Sequence, residues 1–348
     1  MRAVDTLFWK RKNVLVTGHS GFMGTWLSEL LLFLGAKVTG ISLKRNDNWK
    51  FNQIVQDIRN AAAVSTQINS DRPDVIFHLA GISNIPCALN DPVGAFSINV
   101  GGTLNVLNAV REAGGVKSVV IITSDKCYKN TGETYKKETD ELGGIDPYSA
   151  SKAACEIAVH SFYETFLRNK TTIPTSVATV RVCNLVGGGD MTPGRLLPAL
   201  AQGVNDNKTV ELRSPNAIRP WLYVLDALSG YLFLAESMFV DSNKYSGGWN
   251  FGPNKSEVKT VEEITLSFYE HWGNGICQFV KKEALQNENN LLLLDTAKAV
   301  NILNWQPKVL FHDMMIRTVD FYKRQISGDV CKIYLEHIQM YFEKDRDS

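Results

Sequence analysis

The stretch Val14-Leu15-Val16-Thr17-Gly18-His19-Ser20-Gly21-Phe22-Met23-Gly24-Thr25-Trp26-Leu27 decides the fold. Val14–Thr17 reads as a short buried strand. From Thr25 to Leu34, Leu27, Leu30, Leu31 and Leu34 recur at helical spacing on one face. Gly35 then closes the helix where a left-handed residue is favoured. Between strand and helix lie Gly18, Gly21 and Gly24, three residues apart. Glycines so placed allow a tight turn, a close backbone approach to a diphosphate and close packing of helix on strand. The helix N-terminus then faces the negative charge. A glycine triplet alone is weak evidence, but strand–turn–helix context makes it a dinucleotide-binding fingerprint. Gly18, Ser20, Gly21, Phe22, Met23 and Gly24 are the cofactor contacts expected from this turn.

Outward from it, strand and helix signals alternate. Lys37–Leu43, Asp74–Ala80, Lys117–Thr123 and Thr175–Val182 read as strands, and Val93–Ala113 and Ser149–Arg168 as helices. This repetition predicts an α/β fold, a Rossmann-type doubly wound parallel sheet, with residues 1–184 as the dinucleotide-binding domain. After Asn184 the pattern breaks at Gly187-Gly188-Gly189-Asp190 and Ser214-Pro215-Asn216. Residues 185–348 are expected to form mainly a smaller mixed C-terminal substrate lobe, the chain returning to the sheet near 220–255. Trp249–Gly252 reads there as a short strand, and Val261–Trp272 and His312–Ile326 as helices. The charged Glu343–Ser348 is expected to fray.

An acidic residue about 20 positions past the glycine turn would hold the ribose of NAD. Here the second strand ends in Ser42-Leu43-Lys44-Arg45. Lys44 could meet a 2′-phosphate, which keeps NADP as the alternative to NAD. Asp57 and Ile58 are expected near adenine, and Leu79 and Ala80, closing the next strand, beside the cofactor.

Composition narrows the rest. With 348 residues and 44% hydrophobic content, the chain is no disordered segment and holds about two domains. Lys+Arg total 37 against 36 Asp+Glu, a net charge of +1, so no bulk field points to nucleic acid or an acidic membrane. Six cysteines without a CxxC pair argue against a zinc ribbon or a disulfide framework, and no metal site is expected. A reducing cytoplasm is the expected compartment. No apolar run reaches the ~18 residues of a membrane span, and no apolar segment precedes Lys10-Arg11-Lys12, so no signal peptide is expected.

Tyr148 and Lys152 lie four apart at the start of a helix and share a face. A phenol of ordinary pKa near ~10 is a poor base at neutral pH. A cationic Lys152 and a positively charged nicotinamide would favour the phenolate, and Tyr148 could then take the proton of a sugar hydroxyl. The preceding strand ends in hydroxyls, Thr123-Ser124. Arg219, before Pro220-Trp221, is the first candidate for a bidentate phosphate contact, and Arg195 the second. His78 reads as structural.

Thr17–Gly24 together with Tyr148-x-x-x-Lys152 resembles the extended short-chain dehydrogenase/reductase superfamily. Within it, the chain is most similar to the CDP-glucose 4,6-dehydratases. The resemblance rests on TGHSGFMGTWL (17–27), TSDKCY (123–128), DPYSASK (146–152), CNLVGGGD (183–190), PNAIRPW (215–221), LSGYLFLAE (228–236) and GWNFGP (248–253), in order along nearly the whole chain. It implies tightly bound NAD and an internal redox cycle, in which Tyr148, Lys152 and Ser124 oxidise the sugar at C4. It further implies that Asp125 protonates the leaving 6-hydroxyl and Lys126 takes the C5 proton, giving a 4-keto-6-deoxy sugar nucleotide for deoxysugar and lipopolysaccharide synthesis. Asn184 matches an asparagine that holds the sugar or diphosphate, and Ser83 lies in the loop that flanks the sugar. A homodimer is implied, formed through helices 93–113 and 149–168, with Ala153, Ala154, Ile157 and Ala158 compatible with that contact. The chain departs from the family pattern at Gly81–Ala88, at Met23 in place of Lys, at Lys44 and at Leu222-Tyr223. These departures suggest a divergent member or a shifted sugar. An epimerase or keto-reductase on the same scaffold is the alternative, and a non-catalytic dinucleotide-binding protein a more distant one.

Overall fold

Seven parallel strands meet in one sheet: β1 (Asn13–Thr17), β2 (Lys37–Ser42), β3 (Asn52–Val55), β4 (Val75–His78), β5 (Ser118–Ile122), β6 (Ser176–Val182) and β7 (Gly247–Phe251). Their spatial order is β3-β2-β1-β4-β5-β6-β7. The computed structural model describes residues 3–130, 135–168, 174–280 and 292–343. Of the expected fraying end, 344–348 lie outside the described residues. Strands β4, β5 and β6 are buried at every residue, as befits parallel strands covered on both faces.

Helices α1 (Phe22–Phe33) and α5 (Val224–Val240) pack into one core with β1, β4 and β6. Helices α2 (Ala61–Asp71), α3 (Pro92–Ala113) and α4 (Pro147–Phe162) share the opposite core. The order of strands reverses between β1 and β4, so a crevice opens at their carboxyl ends. Thr17 and His78 close those two strands in register. His78 is buried, with Nδ1 2.7 Å from Thr17 Oγ1 and Nε2 3.0 Å from Thr103 Oγ1. Burial, with Lys152 adding to it, lowers its pKa to about 3. A neutral imidazole between two hydroxyls is structural.

The expected strands and helices are present with boundaries shifted by a few residues. α4 begins earlier than expected, at Pro147. Asp146 caps it by accepting from the Ser149 backbone N–H at 2.9 Å and the Ser149 hydroxyl at 2.6 Å, which puts Tyr148 in the first turn. β3, α2, the helices Leu196–Asn205 and Ala297–Leu303, and a final helix went unread in the sequence. α3 corrects a second expectation. By length and composition alone it could cross a membrane, and half of its most apolar window is buried. Its uncharged Asn99, Asn105 and Asn108 interrupt the apolar run in sequence without adding charge. Its buried face packs against α2 and α4.

Past β6 the chain forms a second layer. Asn184–Val186 pairs in parallel with Trp221–Tyr223. α6 (Val261–Trp272) packs on α7 (Phe311–Arg324), and α8 (Val330–Glu343) packs on α7 and on α1. α5 is buried from Val224 to Met238 and packs against β5, β6 and α1.

Candidate active site

The glycine turn is built by close approach. Gly18 has φ +75°, and a Cβ there would lie 2.7 Å from the Ala80 backbone nitrogen. A Cβ on Gly24 would lie 2.1 Å from the Gly18 carbonyl oxygen. Neither position tolerates a side chain. Gly21 is different: its nearest neighbour would be 3.4 Å away, and it borders an open cavity of about 360 Å³. Gly21 is also the N-cap of α1 and supplies no side-chain acceptor, which leaves the first-turn amides for a ligand.

All the cofactor residues predicted from the turn and strand ends line this cavity: Gly18, Ser20, Gly21, Phe22, Met23, Gly24, Lys44, Asp57, Ile58, Leu79 and Ala80. Asp57 is gripped by Arg59, whose Nη2 lies 2.6 Å from Oδ2. That hydrogen bond lowers the pKa of the Asp57 carboxyl. Ser20 and Ser42 pair through their hydroxyls. The glycine cradle and the uncapped helix end suit a dinucleotide diphosphate. Gly21→Ala is accordingly expected to fold normally and to weaken dinucleotide binding by roughly tenfold or more, because its methyl group occupies the diphosphate's approach. Isothermal titration against NAD measures it, and unchanged affinity would displace the diphosphate from this turn.

A second cavity of about 360 Å³ adjoins the first, sharing Met23, Leu79, Gly81, Ile82, Ser83 and Arg195. It gathers Ser124, Asp125, Lys126, Tyr148, Lys152 and Asn184. Arg219 is not brought in. It sits on the short strand Ile218–Arg219, where its guanidinium donates to the Ile218 carbonyl at 3.2 Å. Its neighbour Trp221 packs on the core and also lines the cavity. Asp190, Leu196, Leu197 and Pro198, which sequence reasoning missed, line it too. Asp190 closes the Gly187–Gly189 run, and that loop chemistry was the available signal.

Asp125 has both oxygens engaged. Ser124 Oγ donates to Oδ1 at 2.9 Å, and Lys126 Nζ lies 3.4 Å from Oδ2. The carboxylate is buried while the Lys126 side chain reaches the cavity, 36% exposed. Lys152 is buried and donates to the Ile122 carbonyl at 3.2 Å. Desolvation lowers its pKa. Burial pushes the Tyr148 phenol up to about 12, while a hydrogen bond with Ser124 pulls it down. Among nearby charges, Arg195 eases its ionisation and Asp125 opposes it. Arg195 is itself held by Asp190 at 3.2 Å. The buried Asn99 fixes the loop after β4, accepting from the Ile82 N–H and donating to Ser151, each at 2.8 Å. Among the described residues, no group of three or more His, Cys, Asp or Glu could hold a metal ion.

The chain as a whole finds its match among known proteins. Residues 14–246 match the NAD dependent epimerase/dehydratase family. The chain belongs to that family. NAD is therefore its dinucleotide. The chain is 35% identical to CDP-glucose 4,6-dehydratase of Salmonella typhimurium over 339 residues, 94% of each chain. Among solved structures, it superposes with a TM-score of 0.79 and 20% identity on UDP-glucose 4-epimerase of Thermotoga maritima, covering 90% of this chain and 100% of that one. DesIV of Streptomyces venezuelae, a dTDP-glucose 4,6-dehydratase solved with NAD and TYD, gives 0.76 at 23% identity, covering 89% and 96%.

Proposed function

We propose that the chain is a nucleotide-sugar 4,6-dehydratase acting on CDP-glucose. The observation that carries this reading is the Asp125–Lys126 pair, set in the same cavity wall as Tyr148 and Lys152. An epimerase needs only the oxidising set, whereas loss of water across C5 and C6 needs a further acid and a further base.

The glycine turn Gly18–Gly24 with Leu79 and Ala80 would hold NAD, which would supply the two-electron acceptor for C4 of the sugar and the donor for C6. Tyr148 takes the proton of the C4 hydroxyl, and Ser124 holds that phenol through its hydroxyl. Lys152 contributes its charge from the next turn of α4. Once C4 is a ketone, the C5 hydrogen is acidic. Lys126, as the free amine, removes it. Asp125, as the acid, protonates the departing 6-hydroxyl, which leaves as water. The pair then stands as ammonium and carboxylate, 3.4 Å apart. As hydride returns to C6, the Lys126 ammonium gives a proton back to C5, and the proton that Tyr148 took from the C4 hydroxyl replaces the one Asp125 spent on water, so all three groups recover their starting forms with no net change of charge. Asn184 and Arg195 are the proposed sugar and diphosphate contacts, with Ser83 facing both ligands. Arg219 stays a candidate only for a part of the substrate lying beyond the cavity.

Incubation with CDP-glucose tests the reading. The expected result is a CDP-4-keto-6-deoxy sugar with no net consumption of cofactor. Turnover of other nucleotide hexoses but not CDP-glucose would move the base specificity, and an isomeric hexose product would favour the epimerase alternative.

We also propose a cytoplasmic homodimer that serves deoxysugar and lipopolysaccharide synthesis. The six cysteines are free thiols, which suits a reducing compartment. Val93 and Phe96 on α3 and Ile157 on α4 are exposed apolar residues, as a helix-pair interface requires. Ala154 and Ala158 flank Ile157 half-buried, while Ala153 faces the core. The chain should elute as a dimer by size exclusion with light scattering, and Ile157→Asp as a monomer. A monomeric wild type would overturn the proposal.

A further inference from the structure

Behind the cavity runs a buried polar chain that the proposed mechanism does not use. Glu156, one turn beyond Lys152 on α4, is 4% exposed. Its carboxylate accepts from the Thr123 hydroxyl, from the Thr179 hydroxyl at 2.7 Å, and from Arg181 Nε and Nη2 at 3.1 and 2.9 Å. Arg181, on β6, donates from Nη1 to the Tyr128 hydroxyl at 2.7 Å and to the Glu138 carbonyl at 3.0 Å. Its guanidinium also stacks on the Tyr128 ring, 4.8 Å from the centroid. Tyr128 in turn donates to Asn250 Oδ1 on β7 at 2.8 Å. Room for this chain is reserved in the backbone, since a Cβ on Gly248 would lie 2.9 Å from Arg181 Nη2.

The two ends of this chain are Thr123 and Tyr128. Between them lie Ser124, Asp125 and Lys126, on a single turn of 3₁₀ helix (Asp125–Cys127). That turn is a single short one, held within itself by Lys126 N–H to Ser124 Oγ and Cys127 N–H to the Ser124 carbonyl, each at 3.2 Å, and by Tyr128 N–H to the Asp125 carbonyl at 3.3 Å. Tyr148 and Lys152 sit on a different body, α4. Glu156 belongs to α4 but bonds directly to one end of the turn and, through Arg181, to the other.

We propose that Glu156, with Arg181 as its partner, is a positioning brace that fixes the Asp125–Lys126 acid–base turn relative to the oxidising pair Tyr148 and Lys152. The brace touches neither ligand cavity and acts only through the residues it holds. It rests on the dehydratase reading, because only a dehydratase needs both sets in register on one sugar. A side chain displaced by about 1 Å can cost a hundredfold in rate. Oxidation at C4 depends on α4, the cofactor and the Ser124 hydroxyl at the start of the turn, whereas elimination depends on both side chains of the turn itself, so a loosened turn should cost elimination far more than oxidation.

The test uses Thr123→Val, which removes one bond to the brace without leaving a buried charge unpaired, since Glu156 keeps Arg181 and Thr179. Tyr128→Phe releases the other end. The whole protein is loaded with NAD and mixed with CDP-glucose. Three quantities are followed: reduced nicotinamide by its near-ultraviolet absorbance, the keto-deoxy product, and binding of CDP. In both variants, product formation should fall about ten- to a hundredfold, with CDP affinity unchanged. The reduced cofactor should stand at a higher steady level than in the wild type. Thr123→Ser should restore the wild-type pattern. Equal loss of reduction and elimination, unchanged rates, or failure of both variants to fold would overturn the brace. Wild-type protein that makes no keto-deoxy product would instead indict the dehydratase reading, and the brace falls with it. A wild type that turns over beside an unaffected Thr123→Val indicts the brace alone.

Discussion

Tyr148→Phe should lower turnover of CDP-glucose by roughly a hundredfold to ten-thousandfold, the usual worth of a positioned proton acceptor, while leaving NAD binding intact. The phenol sits in a small apolar cluster with Ala88 and Ala95. A phenylalanine fills the same space and loses only the hydroxyl, so thermal stability should hardly move. The sign of the pH effect follows from the electrostatics. Burial pushes the free-protein phenol up to about 12, with Ser124 and Arg195 pulling it down and the Asp125 charge pushing it up. At pH 7 the ionised fraction is therefore on the order of 10⁻⁵ and rises tenfold per pH unit. The rate of cofactor reduction in the wild type should climb with pH across the neutral range until the phenol of the loaded enzyme titrates. In Tyr148→Phe that climb should be absent. In Arg195→Gln it should persist but lie further to the alkaline side, because a charge that favours the phenolate is gone. Rapid mixing at several pH values reads all three. A Tyr148→Phe protein within tenfold of wild type, or one keeping the pH climb, would place the base elsewhere.

Residues acting through local pattern were legible in the sequence, and those acting through tertiary contact were not. The glycine turn carries its reason in three positions, and every cofactor residue predicted from it borders one cavity. Tyr148 and Lys152 were visible because helical periodicity alone aligns them. β3 was missed because Asn52-Gln53-Ile54-Val55 buries only Gln53, so an edge strand shows no apolar alternation. α2 offers just Val64 and Ile68 to the core, too few for a period. α8 has a legible stripe, Ile333, Tyr334, His337, Ile338 and Tyr341, but its charged surroundings masked it. Within the site, Asp190 and Trp221 arrive from the second layer; the glycine run before Asp190 marks a loop but not the cavity it faces, and the sequence around Trp221 gives no signal at all. Arg219 shows the converse: its Arg-Pro-Trp context suits a phosphate ligand, but its position on its strand leaves it out of the cavity lining. The link between α1 and this layer was equally invisible. Trp26 Nε1 donates to the Gly188 carbonyl at 3.0 Å, and Tyr322 to that of Asp190 at 2.8 Å, so helices distant in sequence hold the loop that carries Arg195.

Lys126→Ala is the change that separates a dehydratase from every other use of this scaffold. The lysine side chain is the exposed member of its pair, and Asp125 keeps its Ser124 bond when the amine is removed, so the turn should survive. Tyr148, Lys152 and the NAD cavity are untouched, and C4 oxidation should proceed. On mixing with CDP-glucose, bound cofactor should become reduced and stay so, because the ketone cannot lose its C5 proton. Product formation should fall by roughly a hundredfold to ten-thousandfold. In deuterated water the wild type should place solvent deuterium at C5 of its product, whereas the variant should incorporate none. Asp125→Asn should behave differently. The amine remains able to take the C5 proton, so exchange at C5 should outlast the loss of water. An epimerase would give neither signature: its Lys126→Ala form would keep inverting C4, with C5 never exchanging. Normal turnover by Lys126→Ala would dismiss the lysine as base, and an unreduced cofactor in that variant would mean that the two residues do not divide the chemistry in this way.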